Sequence, residues 1–270
     1  RVIPLLRPKL PDARHVATYL SDVDSSRQYS NFGELHDRLR GALAAIYAAD
    51  ADNLALFSSC TGGLLALLLD YSCSRDKPRN EIRVLLPGWS FVATLQAPLA
   101  LGMSVHFGDV DASGTLCMDD AAQRCMDLDI DVVILVAPFG RALDYASWES
   151  FAQRQGVTVI VDAAAGFYSV GCSALPTVVS MHATKIFSTG EGGFVLSRDT
   201  ELVERLAAIS NFGLRGSRLP SVVGLNVKLS EYACAVGLAS LEQHERVRAL
   251  FGQQLQSYME AFRDSTAVEF

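Results

Sequence analysis

The sequence predicts an α/β chain built on a mostly parallel sheet flanked by helices. Three observations carry that reading. Short apolar runs alternate with segments of helical spacing along most of the chain. The runs are nearly continuous in Val, Leu and Ile, as strands buried on both faces should be. Half of the 270 residues are hydrophobic, and the mean hydropathy is +0.21, enough for a sizeable core.

Each element follows from local pattern. Residues 1–33 carry prolines at 4, 8 and 11 and a polar stretch at 21–31, and read as an arm or loop. Residues 34–49 place Leu35, Leu39, Leu43 and Ile46 at helical spacing. Residues 54–58 read as a strand and 62–71 as a Leu- and Ala-rich helix. The pattern then repeats: strand 83–86, a turn at Pro87-Gly88, helix 91–101, strand 104–107, helix 119–126, strand 131–137, helix 146–155 and strand 157–161. Two later strands, 178–182 and 193–196, are separated by a glycine-rich turn. A long amphipathic stretch runs from Ser230 to about Arg263. Ser230 suits an N-cap, and Glu231 in the first turn suits the helix dipole. The predicted division places residues 1–245 in a large domain with its arm. Residues 246–270 open a smaller second domain that is cut short. A chain starting at Arg1 and stopping at Phe270 in mid-pattern is expected to be a shortened one.

Composition narrows the function. The net charge of −7 and a pI near 5.2, with no Lys/Arg block, argue against a nucleic-acid partner. The six cysteines include no CxxC pair and no accompanying histidine cluster, so no metal site is expected. Reduced thiols, no signal peptide pattern and no apolar run of membrane length predict a cytoplasmic chain without a membrane partner.

Four segments carry the chemistry. Ser58-Ser59-Cys60-Thr61-Gly62-Gly63 joins a strand to a helix, where small residues free backbone N–H groups to face an anion. Phe91, after the turn that follows the next strand, can lie on a planar ring at the strand ends, where open α/β sheets bind ligands. Asp162 ends the run 157–161 in an apolar, Ala-rich setting, and a buried acid there needs a partner: a protonated ring nitrogen or an arginine. Lys185 follows the strand 178–182. A lysine after one strand and a carboxylate ending another are the two parts a pyridoxal phosphate (PLP) site requires. The amine condenses with the cofactor aldehyde, and the carboxylate keeps the pyridine nitrogen protonated.

The ordered set SSCTGG, PGWSFVAT, VDAAAGF, SMHATK-x4-GEGG and GLNVKLSE resembles the DegT/DnrJ/EryC1/StrS family of PLP-dependent nucleotide-sugar aminotransferases. The resemblance runs from Ile3-Pro4-Leu5 and Tyr29-Ser30-Asn31-Phe32-Gly33 to the last helix. It implies the fold-type I aminotransferase large domain with a truncated small domain. It also implies Lys185 as the cofactor lysine, Thr61 and the Gly62 backbone as the phosphate cradle with Ser180 as a further donor, Phe91 stacked on the ring, and Asp162 at the ring nitrogen. Asn226 matches a residue that crosses to the neighbouring cofactor, which implies a homodimer with shared sites. His182, Glu191 and Arg215 are candidate substrate contacts. Where many relatives have Gln or His after Asp-Ala-Ala, this chain has Ala165, so a contact to the ring hydroxyl is expected to be missing or supplied from elsewhere.

The activity so implied is transfer of an amino group from L-glutamate to a nucleotide-linked keto-deoxysugar, with the cofactor passing through its pyridoxamine phosphate form. The sequence leaves the sugar and the ring carbon, C3 or C4, open; the His-Ala-Thr-Lys and Asp-Ala-Ala-Ala-Gly-Phe variants resemble enzymes that aminate C4 of dTDP-4-keto-6-deoxyglucose. The product would be an amino-deoxysugar nucleotide for surface glycans, such as lipopolysaccharide O-antigen, or for glycosylated natural products. Two alternatives stand beside it. Related keto-sugar dehydratases or deoxygenases carry His at the Lys185 position, which argues against them. A truncated non-catalytic PLP binder retains the same residues. A nicotinamide-binding domain finds no GxGxxG after the first strand.

Overall fold

The computed structural model describes residues 6–214, 216, 218–263 and 265. Ile3-Pro4-Leu5 and Arg215 lie outside the described residues. Helices α1 (Ala13–Ser26) and α2 (Glu34–Ile46) come first, then strand β1 (Leu54–Phe57) and helix α3 (Cys60–Cys73). The alternation continues through β2 (Arg83–Pro87), α4 (Val92–Ala100), β3 (Ser104–Gly108), α5 (Met118–Leu128), β4 (Val132–Val136), α6 (Tyr145–Gln155) and β5 (Thr158–Asp162). Strands β6 (Thr177–Ser180) and β7 (Gly193–Leu196) precede helices α7 (Thr200–Ser210), α8 (Glu231–Leu241) and α9 (His244–Ala261).

The seven strands form one sheet in the order β1-β7-β6-β5-β4-β2-β3. Its pairs are parallel except those of β7, which runs antiparallel to both β1 and β6. The Val-rich β4 shows why the parallel core was readable. Val133 and Leu135 join the apolar cluster on one face, Val132 and Ile134 the cluster on the other, so neither face meets water. Helix α3 shares the second cluster through Leu64, Leu67 and Leu68.

Three expectations are corrected. Residues 13–26 are helical: Asp12 accepts from the N–H groups of Arg14 and His15, a strong N-cap that the flanking prolines disguise. Residues 200–210 form α7, which the sequence reading passed over; Asp199 caps it and Val203, Leu206 and Ile209 bury its inner face. The stretch 230–263 is two helices, interrupted at Glu242 and Gln243. Helix α9 buries none of its residues, and Leu250, Phe251, Leu255 and Tyr258 are exposed. Among the described residues no helix is long and apolar enough to cross a membrane, and no group of three or more side chains is arranged to hold a metal.

Glu231 is buried and serves a helix other than its own. Its carboxylate accepts the N–H groups of Gly33 (3.1 Å), Leu35 (2.8 Å) and His36 (3.2 Å), the unpaired donors at the start of α2. The N-cap position of α2 is Gly33, which has no side chain to do this. A Cβ on Gly33 would lie 2.6 Å from Cδ of Glu231, so the glycine is what lets the carboxylate approach.

On the same helix His36 is 4% exposed, and burial pulls its pKa below the ordinary 6.5, against the opposing pull of Asp37. The unfolded chain therefore takes up this proton first as pH falls. Stability is complete above pH 6.5 and declines as pH drops through the lowered folded value. Melting temperatures between pH 7 and 5 are expected to fall less steeply in His36→Gln than in the parent. Parallel slopes would show that His36 is not the source.

Candidate active site

A cavity of about 700 Å³ opens where the parallel strands end. Val136 from β4, Asp162 from β5 and Ser180 from β6 reach its floor. Cys60 and Thr61 from the start of α3, Phe91 before α4, and Lys185 and His182 from the turn after β6 complete the wall.

Each group is placed by its local structure. Asp162 is the last residue of β5 and is buried. Its Oδ2 accepts the Thr94 hydroxyl at 2.7 Å, and its Oδ1 accepts the Ala164 N–H at 3.2 Å. Among the described residues no arginine pairs with it, which removes the competing explanation for a buried acid here. Burial pushes its pKa up; the Thr94 hydroxyl, the Ala164 N–H and the positive charge of Lys185 oppose that rise.

Lys185 is half-buried on a turn closed by its own N–H to His182 O and by Ala183 N–H to Gly190 O. The turn enters from β6 and leaves into β7, whose first residue, Gly193, presses on α3. A Cβ there would lie 2.5 Å from the Cys60 nitrogen. The antiparallel β7 thus returns the lysine turn to the strand ends from which it came.

At the start of α3 the N–H of Gly62 donates to Ser59 Oγ at 3.0 Å, and Gly62 does not line the cavity. The Gly62 N–H is thus accepted within the helix cap. The N–H groups of Cys60 and Thr61, one turn-step earlier, have no protein acceptor among the described residues and stand at the cavity wall. Burial, reinforced by Asp162, pushes the Cys60 thiol up and keeps it protonated.

Phe91 is 75% exposed and caps the start of α4. Ser180 is buried, and its hydroxyl accepts the His182 N–H at 3.2 Å, leaving its own hydrogen for another acceptor. His182 Nδ1 accepts the Thr184 N–H at 3.2 Å, which leaves the ring proton on Nε2, 3.5 Å from Glu191 Oε1. His182 and Glu191 both line the cavity. Asn226 does not: it is exposed, and its side-chain oxygen accepts Lys228 Nζ at 2.8 Å.

Sequence reasoning missed Thr94, Trp89 and Phe139, all at the cavity. Trp89 and Phe139 meet edge to face, ring centroids 5.6 Å apart. Thr94 had one available signal: it lies three residues after Phe91, on the same helical turn.

The model of the DegT/DnrJ/EryC1/StrS aminotransferase family matches residues 12–270. The chain is 32% identical to protein Rv3402c of Mycobacterium tuberculosis (strain ATCC 25618 / H37Rv) over 97% of its length and 66% of the relative's. It is 29% identical to the dTDP-4-amino-4,6-dideoxy-D-glucose transaminase of Shigella dysenteriae, over 87% of this chain and 64% of that one. The crystal structure of DesI in the presence of its TDP-sugar product superposes with a TM-score of 0.84 at 27% identity, covering 98% of this chain and 68% of the other. The chain thus spans about two thirds of the length of the curated relatives it matches.

Proposed function

The chain belongs to the DegT/DnrJ/EryC1/StrS aminotransferase family, and from that premise we propose that it binds PLP and moves an amino group from L-glutamate to a nucleotide-linked keto-deoxysugar. The observation that carries the reading is the pairing of Lys185 with a buried Asp162 in one cavity, together with unaccepted N–H groups on the facing helix start. The residues fit the cofactor. Among the described residues the buried acid makes no salt bridge, the role a protonated ring nitrogen would fill, and about 700 Å³ lies within the usual range for such ligands.

When bound, PLP supplies an electron sink and carries the amino group between the two substrates. The protein's own residues do the rest. Asp162 accepts a hydrogen bond from the ring nitrogen and holds it protonated. The Cys60 and Thr61 N–H groups, at the positive end of α3, hold the phosphate with the Thr61 and Ser180 hydroxyls. Phe91 covers one face of the ring and excludes water. Lys185 would move the proton from the donor's α-carbon to the cofactor in the first half-reaction, and from the cofactor to the acceptor's carbon in the second. His182, its ring set by the Thr184 N–H on Nδ1, offers Nε2–H to substrate oxygen.

The remaining assignments are part of the same proposal. The exposed position of Asn226, outside its own chain's cavity, supports its reaching the cofactor of a second copy, and hence a homodimer. The likeness to the Shigella enzyme supports C4 of a dTDP-linked 4-keto-6-deoxyglucose as the acceptor. The product would feed surface glycans such as O-antigen, in the cytoplasm. We assign residues 1–245 to the cofactor domain and 246–270 to the start of the small domain.

The test is the visible spectrum of the purified chain with PLP, before and after L-glutamate. A yellow band that bleaches with glutamate is the expected result. A band indifferent to glutamate would leave a PLP binder without transfer activity, and no band at all would remove PLP binding itself; either outcome sinks the proposal.

A further inference from the structure

A carboxylate that must meet a ring nitrogen has to be ionised and turned the right way, and burial works against the first of these. In this chain two hydrogen bonds fix Asp162, one to each oxygen. The Ala164 N–H comes from the adjoining backbone. The other donor comes from a different element: Thr94 Oγ1, 2.7 Å from Oδ2 and 0% exposed. An ionised carboxylate only accepts, so the threonine hydrogen must point at it. A threonine side chain in a helix is restricted to two χ1 rotamers, and the one adopted here sets Oγ1 beside Asp162 Oδ2.

Thr94 also lies one turn along from Phe91, and its N–H bonds Phe91 O at 3.1 Å. The first turn of α4 therefore sets the ring-covering aromatic and the acid's orientation together.

We propose that Thr94 is the positioning residue of Asp162: its hydroxyl holds the carboxylate ionised and oriented toward the cavity, ready for the cofactor's ring nitrogen. This rests on the PLP reading above. The titratable groups that face Asp162 are Lys185, from the turn after β6, and Cys60, from α3. Lys185 favours the ionised acid. The thiol is kept protonated by burial and leaves the threonine as the neutral donor that matters. Thr94 would act through Asp162 and touch no substrate.

The test compares Thr94→Val, which keeps the shape and loses the hydroxyl, with Thr94→Ser, which restores it. Two readouts are needed. In the apoprotein, carboxyl NMR of labelled aspartate, with the Asp162 signal assigned by Asp162→Asn, gives the titration midpoint of the acid. In the holoprotein, titration with PLP gives its affinity. Thr94→Val is expected to move the Asp162 midpoint to higher pH and to weaken PLP binding roughly 10- to 100-fold, the worth of a hydrogen bond to a charged group. Thr94→Ser is expected to return both close to the parent.

An unmoved midpoint, or unchanged PLP affinity in a chain that binds PLP, overturns the assignment and leaves the family reading intact. If the parent chain takes up no PLP while Thr94→Val still moves the midpoint, the PLP reading fails and the hold of Thr94 on Asp162 stands. Circular dichroism checks that the valine variant is folded; should it not be, Thr94→Ala takes its place with the same outcomes.

Discussion

Lys185→Ala is expected to abolish amine transfer, lowering turnover by about four orders of magnitude or more, while PLP or its amine form still binds. The loss is large because no other amine among the described residues lines the cavity, so none of them can take over both bonding the cofactor aldehyde and moving the proton. Binding persists because its other contributors are untouched. Asp162 keeps its hydrogen bonds to Thr94 and Ala164, and the Cys60 and Thr61 N–H groups sit on a different element. Lys185→Arg should be nearly as inactive, because a guanidinium does not give up its proton at working pH. The measurement is formation of 2-oxoglutarate from glutamate in a single turnover, with PLP uptake followed separately. Activity within tenfold of the parent would remove Lys185 from the proposed role.

The second large effect is on stability. Glu231→Ala strips the carboxylate from the N–H groups of Gly33, Leu35 and His36, and the site is buried, so water does not freely replace it. Each buried donor left unpaired costs about 1–3 kcal/mol. With partial relaxation the expected loss is about 3–5 kcal/mol, which lowers the melting temperature by roughly 10 °C in a chain of this size. Glu231→Gln is expected to recover little. One of its terminal atoms becomes a donor facing donors, and both oxygens are in use in the parent. Thermal melts of the three proteins decide the point. A melting temperature for Glu231→Ala within about 2 °C of the parent would mean that the start of α2 finds its partners elsewhere.

What the sequence revealed, and what it hid, divides along one physical line. Strands β2, β4 and β5 could be read because their burial on both faces writes an unbroken apolar run into the chain. Asp162 and Lys185 could be read because a strand-end acid and a post-strand lysine are chemically distinctive types. The direction of β7 could not, since Gly193–Leu196 would look the same running either way. Nor could the partners of the key acids. Thr94 meets Asp162 across 68 positions, and Glu231 meets Leu35 across 196. A single sequence without its fold records the two ends of such a contact but not that they touch. Helix α1 was passed over for a different reason: Val16, Tyr19, Leu20 and Val23 stand at helical spacing and pack on the core, but the prolines before them and the polar stretch around them masked that short stripe. Residue type alone also does not disclose that the neighbouring Ser59 hydroxyl accepts the Gly62 N–H, a local competition at the start of α3.

The antiparallel β7 also sets a timetable for the nascent chain. Strand β1 is an edge of the sheet whose neighbour is β7, with Leu54 opposite Leu196 and Phe57 opposite Gly193. While a ribosome is still making the intervening segment, the apolar stretch Leu54–Phe57 has no strand to pair with. At ordinary elongation rates it waits roughly ten seconds. Unpaired apolar strands are the segments that associate wrongly with one another. Refolding from denaturant should accordingly be slow and concentration-limited, because closing this pair demands one of the longest loops in the chain.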